Sequence, residues 1–190
     1  MDSVLIAPGV ALVDISASLP RHETLRYRIR VNEPEVLIVH HTGADNGLDG
    51  EAAWQATARY HIAPRTAAPQ GWPGIAYHYG ICRRGAPCLY RFASEPTIRY
   101  HSGSRANRRG SALVLQGHLG QDPLTSGQEV ALGAALGWWL SEHPGSVIGW
   151  HAIASRWGGR DKRACPGRYA VEWLRTWLTA RGLPDPAHLV

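Results

Sequence analysis

Long apolar segments, repeats and linkers are all missing from this sequence of 190 residues. A membrane-spanning helix needs about 20 consecutive apolar residues, and no stretch comes near that length. Asp2 stands where a signal peptide carries basic residues, and Asp14 interrupts the apolar stretch, so we expect no export signal. No repeat, low-complexity tract or linker rich in Pro, Gly or Ser divides the chain. These absences predict a single domain without a membrane span.

The chain also has few cysteines, and its excess charge is basic. Three cysteines cannot all pair internally, so at least one thiol, with Cys165 as the candidate, is free or bound to a metal. Cys82 and Cys88 flank a predicted turn and could form a disulfide, although two free thiols are expected in a reducing cytoplasm. The net charge of +5 favours polyanionic partners. No run of basic residues interleaved with aromatic ones occurs, so nucleic acid is not a predicted partner.

Strands are predicted where apolar residues cluster or alternate. Residues 36–39 form a continuous apolar run, which predicts a buried strand that delivers His40 at its end. Residues 75–81 and 89–92 lie on either side of a turn and predict an antiparallel pair. Residues 111–116 predict a further strand.

Helices are predicted around these strands from capping residues and apolar spacing. Asp49 can cap the first helix. Ser126 and Glu129 form a predicted capping box for the second helix. Pro166 and Gly182 are predicted to begin and end the last one. Four tryptophans are predicted to lie in the core: Trp138, Trp139, Trp173 and Trp177. The pattern predicts an α/β fold with a mixed central β-sheet flanked by helices.

Two histidines and one cysteine stand where predicted elements begin or end. His40 follows the run 36–39, His151 follows the run 146–150, and Cys165 precedes the last helix. Two imidazoles and a thiolate suit a catalytic zinc site, which keeps a fourth position open for water. A helix N-terminus would favour the thiolate form. A single histidine or cysteine is more often an ordinary core or surface residue. From residue types alone, these three residues could therefore be either zinc ligands or ordinary structural residues.

Four ordered motifs strengthen the zinc interpretation. They are VLIVHHTGA at 36–44, IAYHY at 75–79, HSGS at 101–104, and WH at 150–151 followed by ACPG at 164–167. Together they resemble the superfamily of N-acetylmuramoyl-L-alanine amidases and peptidoglycan recognition proteins, which includes amidase-type bacteriophage lysozymes. The resemblance spans about residues 36–178, and several motifs in the family's order are a specific signal.

This resemblance implies one zinc ion bound by His40, His151 and Cys165. It also implies that Tyr77 positions the attacking water or steadies the oxyanion. Many catalytic members carry Lys two residues before the last ligand, where this chain has Arg163, with Lys162 one place earlier. Arg keeps the positive charge in a different geometry. We therefore predict that Arg163 stabilises the oxyanion, with Lys162 as the alternative.

The same resemblance implies a substrate groove beside the metal. His78 and His101 are predicted to line it, and Asn107 is predicted to bind substrate from the loop beside it. His41 is predicted to be structural, because strand alternation turns its side chain to the opposite face. Residues 157–160 look like an added loop that shapes the floor of the groove.

The activity that the resemblance implies is hydrolysis of the amide between N-acetylmuramic acid and the L-alanine of peptidoglycan. Residues 35–182 would form the catalytic domain, 1–34 an N-terminal extension packed on it, and 183–190 a tail. We expect a monomeric phage or prophage endolysin, held in the cytoplasm until release and attracted to anionic cell-wall polymers. A binding-only peptidoglycan receptor and a cysteine peptidase that uses Cys165 with His151 are the alternatives.

Overall fold

The computed structural model describes residues 3–93, 96–154 and 164–186. Its strands are β1 (Ser3–Ala7), β2 (Val10–Asp14), β3 (Arg28–Ile29), β4 (Val36–His41), β5 (Tyr79–Ile81), β6 (Cys88–Arg91), β7 (Thr97–Ile98), β8 (Gly110–Leu115) and β9 (Val147–Trp150). Its helices are α1 (Gly50–Ile62), α2 (Ser104–Arg109), α3 (Ser126–Glu142), α4 (His151–Ala154) and α5 (Arg168–Thr179). No helix in these ranges is long and apolar enough to cross a bilayer.

The central sheet is mixed and contains seven strands in the order β1-β2-β6-β5-β8-β4-β9. Strands β5, β8, β4 and β9 run parallel to one another, while β1 pairs antiparallel with β2 and β5 antiparallel with β6. Strands β3 and β7 form a separate antiparallel pair. This arrangement confirms the predicted α/β fold in one domain.

Helices cover both faces of the sheet because alternate side chains of each strand point to opposite faces. Leu113 and Leu115 of β8 lie in the larger core cluster with buried residues of α3 and α5. Val114, between them, packs in a second cluster with Ala53 and Trp54 of α1. The inner strands are therefore buried on both sides, as their continuous apolar sequences predict.

The predicted start of α3 is wrong by one residue. Thr125 is the N-cap: its hydroxyl accepts from the Gln128 N–H at 3.2 Å, and the Gln128 side chain accepts from the Thr125 N–H at 3.3 Å. Gln128 also donates to the Gln116 carbonyl at 2.8 Å, so it is fixed from the sheet side. Glu129, the expected partner of Ser126, is exposed. Because Gln128 is buried and bonded to the sheet, the capping box forms between Thr125 and Gln128 and not between Ser126 and Glu129.

The start of α5 also differs from the prediction. The helix begins at Arg168 with Gly167 as its N-cap, so Pro166 lies before the helix and not in its first turn. Gly167 has φ 94°, and a Cβ there would lie 2.3 Å from the Leu119 carbonyl carbon. Only glycine fits this turn. Gly182 is left-handed with φ 65°, as its predicted role as a stop requires.

The predicted β5–β6 hairpin is present, although β5 is shorter than the predicted strand 75–81. Cys82 and Cys88 stand at the two sides of the turn, and both are free thiols. Burial raises the pKa of each thiol. Cys82 donates to the Gly50 carbonyl at 3.7 Å.

His78 connects three segments of the fold. Its Nδ1 accepts from the Ala112 N–H at 3.0 Å, and its Nε2–H donates to the Thr97 carbonyl at 2.8 Å. The side chain is fully buried. Burial, together with the Arg99 and Arg30 guanidinium groups, lowers the pKa of His78 well below its usual value. The neutral imidazole is thus part of the native structure.

The free energy of unfolding should fall as pH falls below about 6.5, because His78 then binds a proton in the unfolded state but not in the folded state. Each such histidine contributes up to about 1.4 kcal/mol per pH unit in that window. The His78→Asn variant should be less stable by about 1–3 kcal/mol at pH 7.5, and its stability should depend less on pH. Urea unfolding at pH 7.5, 6.0 and 5.0 in EDTA measures both. The interpretation is wrong if variant and wild type lose stability equally.

Candidate metal centre and cleft

Parallel pairing of β4 and β9 brings the first two candidate ligands together. Val39 pairs with Trp150, so the next residues, His40 and His151, follow side by side at the carboxyl edge of the sheet. Their ring centroids lie 4.7 Å apart. Both side chains are buried. The register of two neighbouring strands therefore sets the spacing of the two imidazoles.

Cys165 completes the group from the turn before α5. Its sulfur lies 3.8 Å from His40 Nδ1 and accepts from the His41 N–H at 3.4 Å. Its carbonyl accepts from the Ala152 N–H at 3.0 Å, which ties the turn to α4. One donor atom from each of His40, His151 and Cys165 lies within 4.8 Å of the others. The predicted trio converges.

This donor set fits zinc. Tetrahedral zinc with Zn–N near 2.0–2.1 Å and Zn–S near 2.3 Å places a nitrogen and a sulfur ligand roughly 3.6 Å apart, and the sulfur to Nδ1 distance of 3.8 Å is close to that value. Three protein ligands leave a fourth position for water or substrate. His40, His151 and Cys165 are the residues that would hold the ion.

His40 is oriented by hydrogen bonds behind it. Its Nε2 lies 3.1 Å from His101 Nδ1 and 3.4 Å from Ser102 Oγ. Burial, with His151, His101 and His41 nearby, lowers the pKa of His40 well below its usual value, so the ring is neutral. A proton on Nε2 faces these two acceptors and leaves the Nδ1 lone pair on the side of Cys165. Such outer partners fix the tautomer of a metal-binding histidine.

Asn107 of α2 holds His101 and Ser102, the two residues that bond His40, in place. Its Oδ1 accepts from the backbone N–H groups of His101 at 3.1 Å and of Ser102 at 2.8 Å. Asn107 is itself buried and does not line the cleft. The structure therefore places it where it holds the loop of His101, and not at the substrate surface predicted for it.

The trio opens into a cleft of about 550 Å³. Tyr77 lines the cleft, with its ring centroid 5.3 Å from that of His40. His101 lines it too, as predicted. The aromatic residues Tyr60, Trp72 and Tyr100 form more of its wall. No Asp or Glu occurs among the described residues of the lining, so within them the cleft has no carboxylate.

The remaining site predictions concern His78, Arg163 with Lys162, the loop 157–160 and His41. His78 is not in the cleft, because both of its ring nitrogens bind backbone groups inside the core. Arg163 and Lys162 lie outside the described residues, as does the loop 157–160. His41 accepts from the Leu119 N–H at 3.1 Å through Nδ1, which agrees with a structural role, although its side chain also borders the cleft.

Sequence reasoning missed several residues of the cleft wall. Arg65 stacks over Trp72, with 4.1 Å from its guanidinium carbon to the ring centroid, and it donates to the His61 carbonyl at 2.8 Å. His61, in the last turn of α1, accepts from the Ala76 N–H at 3.2 Å through Nδ1. His118 also lines the cleft. The loop after α1 creates the Arg65–Trp72 contact, and no sequence spacing indicates it.

Comparison with known families now identifies the chain. The family model of N-acetylmuramoyl-L-alanine amidases, Amidase_2, matches residues 30–168. This is most of the chain, and the protein belongs to that family. No curated protein sequence is significantly similar to it.

Solved structures share the fold at low sequence identity. The amidase LysC from Clostridium intestinale has a TM-score of 0.68 and 19% identity, over 91% of this chain and 98% of that one. The Ph2119 endolysin of a Thermus scotoductus bacteriophage has a TM-score of 0.63 and 20% identity, over 82% and 91%. Peptidoglycan recognition protein-LE, in complex with a monomeric diaminopimelic acid-type peptidoglycan, has a TM-score of 0.66 and 16% identity, over 87% and 93%. These likenesses show the fold.

Metal analysis tests the site without any assay of activity. Purified wild-type protein should contain about one zinc per chain, and His151→Ala and Cys165→Ala should each contain much less. Cys88→Ser is the matched control, because it removes a half-buried thiol elsewhere, and it should retain the metal. Equal zinc in Cys165→Ala and wild type would rule out the sulfur as a ligand.

Proposed function

We propose that this protein is a zinc-dependent N-acetylmuramoyl-L-alanine amidase. It hydrolyses the amide that joins the lactyl group of N-acetylmuramic acid to the L-alanine of the stem peptide. The observation that carries this proposal is the convergence of His40, His151 and Cys165 at an open cleft. Membership of the amidase family supports the choice of substrate.

The cleft suits a peptide attached to a sugar. Its volume of about 550 Å³ is in the range of small-molecule sites. Tyr60, Trp72 and Tyr100 offer flat apolar surfaces against which a sugar or a peptide backbone can pack. Because the described lining has no carboxylate, the acidic groups of a stem peptide meet no repulsion there.

The chain's own residues prepare the reaction. When bound, zinc would acidify a water molecule and polarise the amide carbonyl. Neutral His40, locked by His101 and Ser102, presents Nδ1 with its lone pair. Tyr77, beside His40, can donate its phenolic O–H to the carbonyl oxygen as negative charge grows there. Water supplies the oxygen of the new lactyl carboxylate, and its protons end on the L-alanine amine and in solvent.

We also propose that the enzyme is an endolysin of a phage or prophage, monomeric and held in the cytoplasm until the membrane is breached. Similarity of fold to the Ph2119 endolysin and the basic charge of +5 support this. Expression inside a susceptible bacterium should leave cells intact until a membrane-permeabilising agent is added, and lysis should follow at once. Lysis without the agent would contradict retention in the cytoplasm.

Mass spectrometry of digested peptidoglycan tests the cleaved bond. Products should carry a new free N-terminal L-alanine. Tyr77→Phe should keep zinc and lose about 10²-fold or more in kcat, because one oxyanion donor is gone. A protein that binds muropeptide and loads zinc without releasing L-alanine would be a receptor and not an amidase.

Arg65 should bind a carboxylate of the stem peptide, since its guanidinium is fixed on Trp72 inside a cleft without described carboxylates. Arg65→Gln should raise KM about tenfold with little change in kcat. The effect should shrink on a substrate whose carboxylates are amidated. Arg59→Gln, an exposed change on the last turn of α1, is the control. An equal loss on both substrates would show that Arg65 only shapes the loop.

A further inference from the structure

A second cavity lies beside the cleft and is lined by arginines. It has a volume of about 410 Å³ and lies between the segment 14–27 and residues 73–75 and 91–93, together with Thr97 and Arg99. We call it the arginine cavity. Its arginines are Arg21, Arg26, Arg91 and Arg99. All of its N-terminal wall precedes residue 30, where the family match begins.

The positive charge of the arginine cavity is poorly neutralised by the described part of the chain. Asp14 is the only carboxylate among its described lining residues, and it lies 3.8 Å from Arg91. Among the ion pairs of residues 3–93, 96–154 and 164–186, none involves Arg21, Arg26 or Arg99. Four cations with one anion repel one another, which costs free energy unless an external anion binds.

Several of these arginines are held in place. Arg26 donates to the carbonyls of His22 at 3.0 Å and Leu25 at 2.8 Å, and Arg21 donates to the Ser16 carbonyl at 3.0 Å. Arg99 stacks over Tyr27 at 4.1 Å from the ring centroid. Arg21 and Arg26 are exposed, and each guanidinium has five N–H donors, more than these bonds use. The cavity thus offers oriented donors to a ligand.

The arginine cavity adjoins the catalytic cleft without sharing residues with it. Tyr100, which lines the cleft, contacts Tyr27 of the cavity, with ring centroids 5.2 Å apart. The Tyr100 ring also lies 6.3 Å from that of Trp72, another residue of the cleft. The contact between Tyr27 and Tyr100 therefore joins the two walls, so a polymer bound in the cavity would lie close to the cleft.

We propose that the arginine cavity binds phosphate groups of an anionic, phosphodiester-linked polymer of the cell wall. Guanidinium groups pair with phosphate oxygens through two parallel N–H···O bonds, and one phosphate has enough acceptors for several arginines. A polymer with repeated phosphates would engage successive arginines and hold the enzyme at its substrate. Only the placement at the wall rests on the proposed amidase function; the phosphate site rests on the charge and geometry of the cavity.

Calorimetric titration of the full chain with a defined poly(glycerol phosphate) oligomer, in low-salt buffer free of phosphate, tests this site. Wild type should bind the oligomer, and Arg21→Gln/Arg26→Gln should bind at least about tenfold more weakly. The matched control, Arg108→Gln/Arg181→Gln, removes two exposed charges elsewhere and should bind as wild type does. Arg21→Lys/Arg26→Lys should recover part of the affinity, which separates lost charge from lost folding.

Three results would overturn the proposal. Equal weakening by both glutamine pairs would mean non-specific charge attraction. Binding of inorganic phosphate with no binding of the oligomer would exclude a wall polymer. Tighter binding to phosphatidylglycerol vesicles, with the same dependence on Arg21 and Arg26, would assign the site to membranes. Hydrolysis of a soluble muropeptide should be unchanged in every variant, and inactivity of wild type there would count against the amidase function alone.

Discussion

The parallel register of β4 against β9 is the constraint on which the candidate site depends. Because Val39 pairs with Trp150, the strand ends deliver His40 and His151 to one point at the carboxyl edge of the sheet. The turn before α5 brings Cys165 to the same point, anchored through the Ala152 and His41 N–H groups. A slip of one residue would turn one imidazole to the opposite face of the sheet. The buried apolar runs of both strands make such a slip costly.

Sequence reasoning found those parts of the site that stand at the ends of strongly patterned elements. The apolar run 36–39 predicted a strand that ends at His40, and the sequence motifs indicated Tyr77 and Cys165 as site residues. It failed where tertiary burial chose between local alternatives. Gln128, and not Glu129, forms the capping box because its side chain also donates to the Gln116 carbonyl. His78 belongs to the same motif as Tyr77, yet its side chain points into the core, where backbone groups bind both ring nitrogens.

Loop residues outside the motifs had no signal in the sequence pattern. Arg65 contacts Trp72 only because the chain turns back after α1, and Arg21 lines the same cavity as Arg99 only because the N-terminal segment packs against residues 73–75. These contacts complete the wall of the cleft and of the arginine cavity. The cleft with the candidate metal ligands contains Tyr100, and the cationic cavity contains Tyr27, whose ring contacts that of Tyr100. Catalysis and attachment to the wall would then be neighbouring but separable properties.

X-ray absorption at the zinc edge of the metal-loaded protein tests the three ligands, because it gives the number, type and distance of the atoms around the ion. We expect two nitrogens near 2.0–2.1 Å, one sulfur near 2.3 Å and one further light atom. A first shell without sulfur, or with more than one sulfur, would contradict the assignment of His40, His151 and Cys165.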